Sequence, residues 1–366
     1  MSTWSDLKNN HRLKEIYEQR IKIVKSIREF FWSNNFVETE TPVAVRYASQ
    51  EPYLNPIPAA IHDTRSTIYK MYLRTSPEYA LKKLLAAGFE KIFEIGKCFR
   101  DFESFGGNHN TEFTMLEWYR APGTYQEIMD DTEKLFKYVS ESLKIEDLRF
   151  KDYKIKVNQT WDRMTMKEVW QKYVGVNLDE YLKIERLKDL VSERGYQVET
   201  EDMYEDLFFK LFLNEIEPKL GLERPIFVYN YPAEMSSLSR LCDHDSRYAE
   251  RFELYIGGLE VANAFGELTD ADEQLHRLTK DQELRSKLRK EIWPVDPDFI
   301  AALRSGIGSA GLPADLSAEA LAKVGALAKA GGIALGVDRM ILLFTGAKDI
   351  NEVMFNSVND QLTTNN

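Results

Sequence analysis

Cysteine is almost absent, with only Cys98 and Cys242 in 366 residues. This excludes a disulfide framework and predicts that both thiols stay reduced. Histidine is scarce too, and the five present show no metal-ligand spacing. Cys242-Asp243-His244-Asp245 has no second ligand pair to complete a zinc site, so it reads as a solvated loop. Long apolar runs are missing: those present, such as Met340 to Phe344, are far too short to span a bilayer, and Met1 to Glu15 is polar rather than signal-like. A cytoplasmic protein with no membrane partner is therefore expected. Basic excess is lacking as well. A net charge of -11 argues against holding nucleic acid by general electrostatics, since neutralising phosphates needs a basic surface. Apolar content is ample, at 43%, enough for a large buried core in one large domain or two modest ones.

From Leu13 to Asn34 the residues Ile16, Ile23, Val24, Ile27, Phe30 and Phe31 recur at helical spacing, predicting one amphipathic helix. Ile92 to Arg100 and Phe113 to Arg120 read as antiparallel strands joined by a glycine-containing loop, and Phe227 to Tyr229, Phe252 to Ile256 and Leu259 to Phe265 as further strands. Between them, about 125–223 carries long helical patterns and no chemical motif. An α+β fold follows, a mainly antiparallel sheet flanked by helices. Leu312 to Ala330 stands apart: alanine-rich, with Pro313 and Asp315 as start signals, it reads as an inserted helix. Gly306 to Gly311 matches GxGxxG, but it follows a helix rather than a strand and reads as a turn.

The most informative stretch is Cys98-Phe99-Arg100 followed by His109 to Tyr119. In a strand, Phe113, Met115, Glu117 and Tyr119 share one face and can line one pocket. Arginine beside histidine suits a phosphate, the phenyl ring suits a flat base, and the glutamate suits a cation.

These residues resemble motif 2 of the class II aminoacyl-tRNA synthetases, lysyl branch. Gly332-Ile333-Ala334-Leu335-Gly336-Val337-Asp338-Arg339 resembles motif 3, and Val37-Glu38-Thr39-Glu40-Thr41-Pro42 resembles motif 1. Met71 to Tyr79 and Arg251-Phe252-Glu253 through Asp270 also look like lysyl-enzyme segments, so the likeness spans nearly the whole chain, 1–366, as one class II catalytic domain. The resemblance implies ATP-dependent adenylation with Mg²⁺. In it Arg100 bridges the amino-acid carboxylate and α-phosphate, His109 and Arg339 contact the outer phosphates, and Phe113 stacks on adenine. Glu253 and Glu260 take the metal positions. Glu78 and Glu267 grip a lysine ammonium, with Tyr119 and Asn263 as hydrogen-bonding partners and Glu117 close by. Several carboxylates around one pocket repel each other unless a cation joins them, which favours a lysine-like substrate over an aspartate-like one. Motif 1 and the preceding helix imply a homodimer; a helix packed on its own core is the alternative.

Only about thirty residues precede motif 1, too few for the anticodon-binding barrel of the lysyl enzymes. Ala334 stands where those enzymes usually carry glycine, and it resembles the paralogues without that barrel, which attach (R)-β-lysine to a lysine of translation elongation factor P. The loop after Arg100 is one residue longer than the family's, so Phe102 takes the place of a glutamate and Glu103 or Asp101 must serve adenine. Thr111 replaces a proline, and Ala264 a glycine. The expected function is activation of (R)-β-lysine or lysine and its transfer to elongation factor P. The acidic balance weighs against tRNA as acceptor. Alternatives are a stand-alone tRNA-charging enzyme and an inactive nucleotide-binding paralogue, the latter suggested by the segment inserted before motif 3.

Overall fold

A computed structural model describes residues 3–103, 107–307 and 329–363. The alanine-rich segment lies outside the described residues except for its final two positions, as does most of the glycine-rich run before it. Nine strands form the main sheet: β1 (Val37–Glu38), β2 (Lys91–Phe99), β3 (Glu112–Arg120), β4 (Asp162–Thr165), β5 (Ile226–Pro232), β6 (Leu241–Cys242), β7 (Asp245–Ile256), β8 (Leu259–Gly266) and β9 (Gly331–Gly336). Their order is β1-β2-β3-β9-β8-β7-β5-β4, with β6 on β7. The pairs β1/β2 and β4/β5 are parallel and the other pairs antiparallel.

The α-helices among the described residues are α1 (Trp4–Asn9), α2 (His11–Ser33), α3 (Glu78–Ala86), α4 (Tyr125–Leu143), α5 (Met166–Tyr173), α6 (Ile184–Glu193), α7 (Tyr204–Leu211), α8 (Ala271–Lys287), α9 (Pro297–Ser305), α10 (Val337–Thr345) and α11 (Val358–Thr363). Asn10 caps α2 by accepting from the Leu13 amide, and the expected stripe of Ile16, Ile23, Ile27, Phe30 and Phe31 is buried. Thr124 and Glu127 form a reciprocal capping box at α4. Asp296 caps α9, with Pro297 at its first turn.

One face of the sheet packs on α2, α4 and α10: Phe31 stacks on Phe93 at 4.7 Å, and Trp118 joins them in the largest core. Each large apolar side chain buried here contributes about 1.5–3 kcal/mol. The opposite face is covered only at its flanks. Leu81 and Leu85 of α3 and Phe299 and Ile300 of α9 form a second cluster at one side. At the other, α5, α6 and α7 build a third cluster with Val228, Tyr231 and Tyr255. A depression remains between them.

The stretch 125–223, expected as helical, also contains β4, which joins the main sheet, and a separate hairpin, Asp147–Phe150 with Tyr153–Lys156. These strands are short, four residues each, and their sheet partners lie elsewhere in the chain or across a tight turn, so local patterning underweights them. Among the described residues no helix is long and apolar enough to cross a membrane.

Candidate active site

Alternation along the strands builds the site. On β3, Leu116 and Trp118 point into the core, whereas Phe113, Met115 and Tyr119 line a cavity of about 360 Å³ on the other face. Register carries this face across the sheet. Glu117 pairs with Ala334, Ala334 with Asn263, and Asn263 with Glu253, forming one row over β3, β9, β8 and β7. The neighbouring row is Tyr119, Gly332, Phe265 and Arg251. Glycine is required at 332, since a Cβ there would stand 2.2 Å from both Glu267 Oε1 and the Tyr119 ring.

At one end Arg100 leaves β2 with its guanidinium 5.0 Å over the Phe113 ring. Its Nε is buried without a hydrogen-bond partner among the described residues, an orphaned cationic donor that suits an anion. Arg339, in the first turn of α10, donates to the Glu260 carbonyl at 2.6 Å and lies 3.3 Å from His109 Nε2. His109 Nδ1 is in turn 3.1 Å from Glu103 Oε2. The hydrogen bond from His109, together with Arg100 and Arg339, holds the Glu103 carboxyl below its usual range. Glu103 faces the cavity; Asp101 is not among its lining residues and accepts from the Phe102 amide. Asp338 fixes this end from behind, accepting from the Thr114 amide at 2.6 Å and pairing with Arg20 at 2.6 Å.

Glu253 and Glu260 both line the cavity although strand parity alone does not unite them. A bulge between Leu254 and Tyr255 and the turn at Gly257 and Gly258, with φ of 68° and 73°, bring them to the same side. One Glu253 oxygen accepts from Arg251 at 2.5 Å, and the other from Tyr231 and Tyr255. Glu260 Oε2 lies 3.7 Å from Arg339 Nη1; burial first, then Glu253, pushes its carboxyl up. The described residues hold no cluster of three His, Cys, Asp or Glu donors fit for a metal. Two carboxylates completed by phosphate and water nevertheless suit Mg²⁺, which takes few protein ligands.

The other end is acidic and more deeply buried than expected. Glu117 and Glu267 do not line the cavity but sit just behind its wall. Glu117 accepts from Ser76 Oγ at 2.6 Å and from the Tyr119 hydroxyl at 2.9 Å. Burial, aided by Glu78, pushes its carboxyl up to about 8. Glu78 begins α3 and faces the cavity. Among the described residues Asn263 Oδ1 is buried without a partner, and so is Glu267 Oε1; both are acceptors suited to N–H donors.

Sequence reasoning missed Lys82, whose Nζ touches both Glu78 and Glu267; its i, i+4 spacing from Glu78 was the available signal. It also missed Tyr231 and Tyr255, and the wall formed by Phe209, Leu213 and Glu217. Nothing local marks those residues: Tyr231 and Tyr255 lie on β5 and β7, and the helical stretch carrying Phe209, Leu213 and Glu217 reaches the site through the third core cluster.

The sequence profile described as tRNA synthetases class II (D, K and N) matches residues 2–312. The chain belongs to this family. It is 34% identical over 340 residues to the Elongation factor P–(R)-beta-lysine ligase of Pseudoalteromonas translucida, covering 92% of this chain and 93% of the relative. The like-named ligase of Proteus mirabilis is also 34% identical, over 339 residues, with the same two shares. Identity to the Lysine–tRNA ligase of Mycoplasmoides gallisepticum is 34% over 353 residues, and this chain spans 66% of that protein's length. In this class II family member, then, Arg100 and Arg339 line the cavity that the buried Glu117 and Glu267 back, beside the motif 2 and motif 3 strands.

Proposed function

We propose that this chain is an ATP-dependent ligase that activates (R)-β-lysine, or lysine, and transfers it to a lysine side chain of elongation factor P. The observation that carries the reading is the pairing of two unlike ends in one cavity. An arginine without a hydrogen-bond partner among the described residues lies at one, and buried carboxylates with acceptors likewise orphaned lie at the other, on a chain that aligns with nearly the full length of two elongation factor P ligases.

The amino-acid carboxylate attacks the α-phosphate of ATP, and pyrophosphate leaves. Arg100 orients both reacting groups and offsets the charge that develops between them. His109 and Arg339 hold the outer phosphates, Phe113 stacks on adenine, and Glu103 accepts from the base. Glu253 and Glu260 would hold Mg²⁺, whose contribution is to neutralise and orient the triphosphate. Glu78, Glu117, Tyr119, Asn263 and Glu267 hold the ammonium groups, and Ala334 sets the space between Glu117 and Asn263. The acceptor amine then attacks the adenylate carbonyl, an amide forms, and AMP leaves. The enzyme works as a homodimer through α2 and β1, where Ile21, Trp32 and Val37 are exposed.

The test is amino-acid-dependent pyrophosphate exchange with (R)-β-lysine, α-lysine, aspartate and asparagine. Mass measurement of elongation factor P, and acid-precipitable charging of tRNA, follow with the amino acid that exchanges. Strongest exchange with β-lysine and a mass gain on elongation factor P are expected. Strongest exchange with α-lysine and charged tRNA would replace the reading with tRNA ligation. No exchange would point to an inactive nucleotide-binding paralogue.

A further inference from the structure

Lys82 has a fully buried side chain. Its Nζ lies 2.5 Å from Glu78 Oε1 and 2.6 Å from Glu267 Oε2. Glu78 and Lys82 are one turn apart on α3, whereas Glu267 follows β8 and is held by backbone bonds to Ser239 and Ala330. The lysine thus ties together two carboxylates carried by elements far apart in the chain. Burial works against its charge, but Glu267 and Glu78 outweigh that and hold it protonated.

We propose that Lys82 is a positioning residue of the amino-acid pocket: its buried ammonium ties Glu78 Oε1 to Glu267 Oε2 and holds both carboxyl groups in place, leaving Glu267 Oε1 without a partner among the described residues, behind Tyr119 and Gly332, for the incoming ammonium. The inference rests on the function proposed above. Three carboxyl groups, Glu78, Glu117 and Glu267, meet at this end against one resident cation, an acidic excess that suits a substrate bearing ammonium groups. A diamino acid supplies two ammonium groups. Without Lys82 nothing among the described residues bridges Glu78 Oε1 and Glu267 Oε2, and two uncompensated acidic groups in a water-poor site rearrange away from this arrangement. The open Glu267 oxygen is then lost to the substrate.

The experiment is pyrophosphate exchange at varied (R)-β-lysine and α-lysine for wild type, Lys82→Met and Lys82→Arg, with ATP affinity measured by calorimetry on each. Lys82→Met is expected to raise the KM for the diamino acid about 100-fold while ATP affinity stays within about twofold. Lys82→Arg keeps the charge and is expected to restore most of the loss, leaving KM within about tenfold of wild type. An unchanged KM in Lys82→Met overturns the inference, as does a joint fall in kcat, diamino-acid binding and ATP binding in both variants, the pattern of a purely structural tie. If Lys82→Met does not fold, Lys82→Gln takes its place with the same two readouts: a rise in KM with ATP affinity intact supports the role, and an unchanged KM or lost ATP binding overturns it. Wild-type exchange with neither diamino acid would overturn the functional reading and this inference with it; wild-type exchange with an insensitive Lys82→Met would overturn the inference alone.

Discussion

The two ends of the cavity handle charge in opposite ways. At the phosphate end Arg100 has no ion-pair partner among the described residues, and Arg339 spends its strongest bond on a backbone carbonyl. At the amino-acid end each carboxyl group has an internal partner, Glu78 and Glu267 in Lys82 and Glu117 in Ser76 and Tyr119, and Glu267 Oε1 is left over among the described residues. The contrast follows from the ligands each end would meet. A triphosphate brings a large negative charge that waiting arginines can meet with little rearrangement, since Arg stays charged at any accessible pH. Buried carboxylates left alone would protonate, so they need internal partners before a cationic substrate arrives.

Breaking the open end should have the largest effect. Arg100→Gln is expected to lower the exchange rate by on the order of 10²–10³-fold, with diamino-acid affinity in equilibrium dialysis changed far less. A comparable loss of amino-acid binding would show that the two ends are not separate. At the closed end, Glu267→Gln should raise the KM for the diamino acid about 10²-fold and spare ATP affinity in calorimetry; unaltered kinetics would remove Glu267 from the pocket.

The pH response sharpens the same contrast. Glu117 is protonated in the empty pocket below about 8, and a substrate ammonium favours its ionised form. Binding therefore expels a proton below that pH, and the KM for the diamino acid should fall several-fold from pH 6.5 to 8 in exchange assays, a slope that Glu117→Gln flattens. For folding the sign is opposite. A carboxyl whose folded value is raised withdraws stability as pH climbs from its unfolded value toward 8, so urea midpoints of wild type should decline over that window relative to Glu117→Gln. The smallest effect is expected from Ala334→Gly. It removes one methyl between Glu117 and Asn263 and should shift the β-lysine to α-lysine preference by about tenfold or less, read from competing exchange rates.

Much of the sheet was legible because period-two alternation is a local signal. Phe113, Met115 and Tyr119 reach the cavity as parity requires, and the helix over α2 follows from its apolar spacing. Parity also selected Glu117, but not its position behind the wall, which depends on how Tyr119 and Ser76 close over it. The meeting of Glu253 and Glu260 depended on a bulge and a left-handed glycine turn, features that shift register without a pattern of their own. Glu103 displaced Asp101 as the cavity residue because the backbone of Asp101 is bonded to Asn55 while His109 draws Glu103 inward.

By itself the order of residues determined the strand faces, the motif arginines and the acidic character of the pocket, since each is written in spacing and side-chain chemistry within short stretches. Only the tertiary structure decided which charges are open and which are already paired. Pairing such as that of Lys82 with Glu267 joins residues 185 positions apart; it is set by the packing of α3 against the end of β8, and no local pattern encodes that distance.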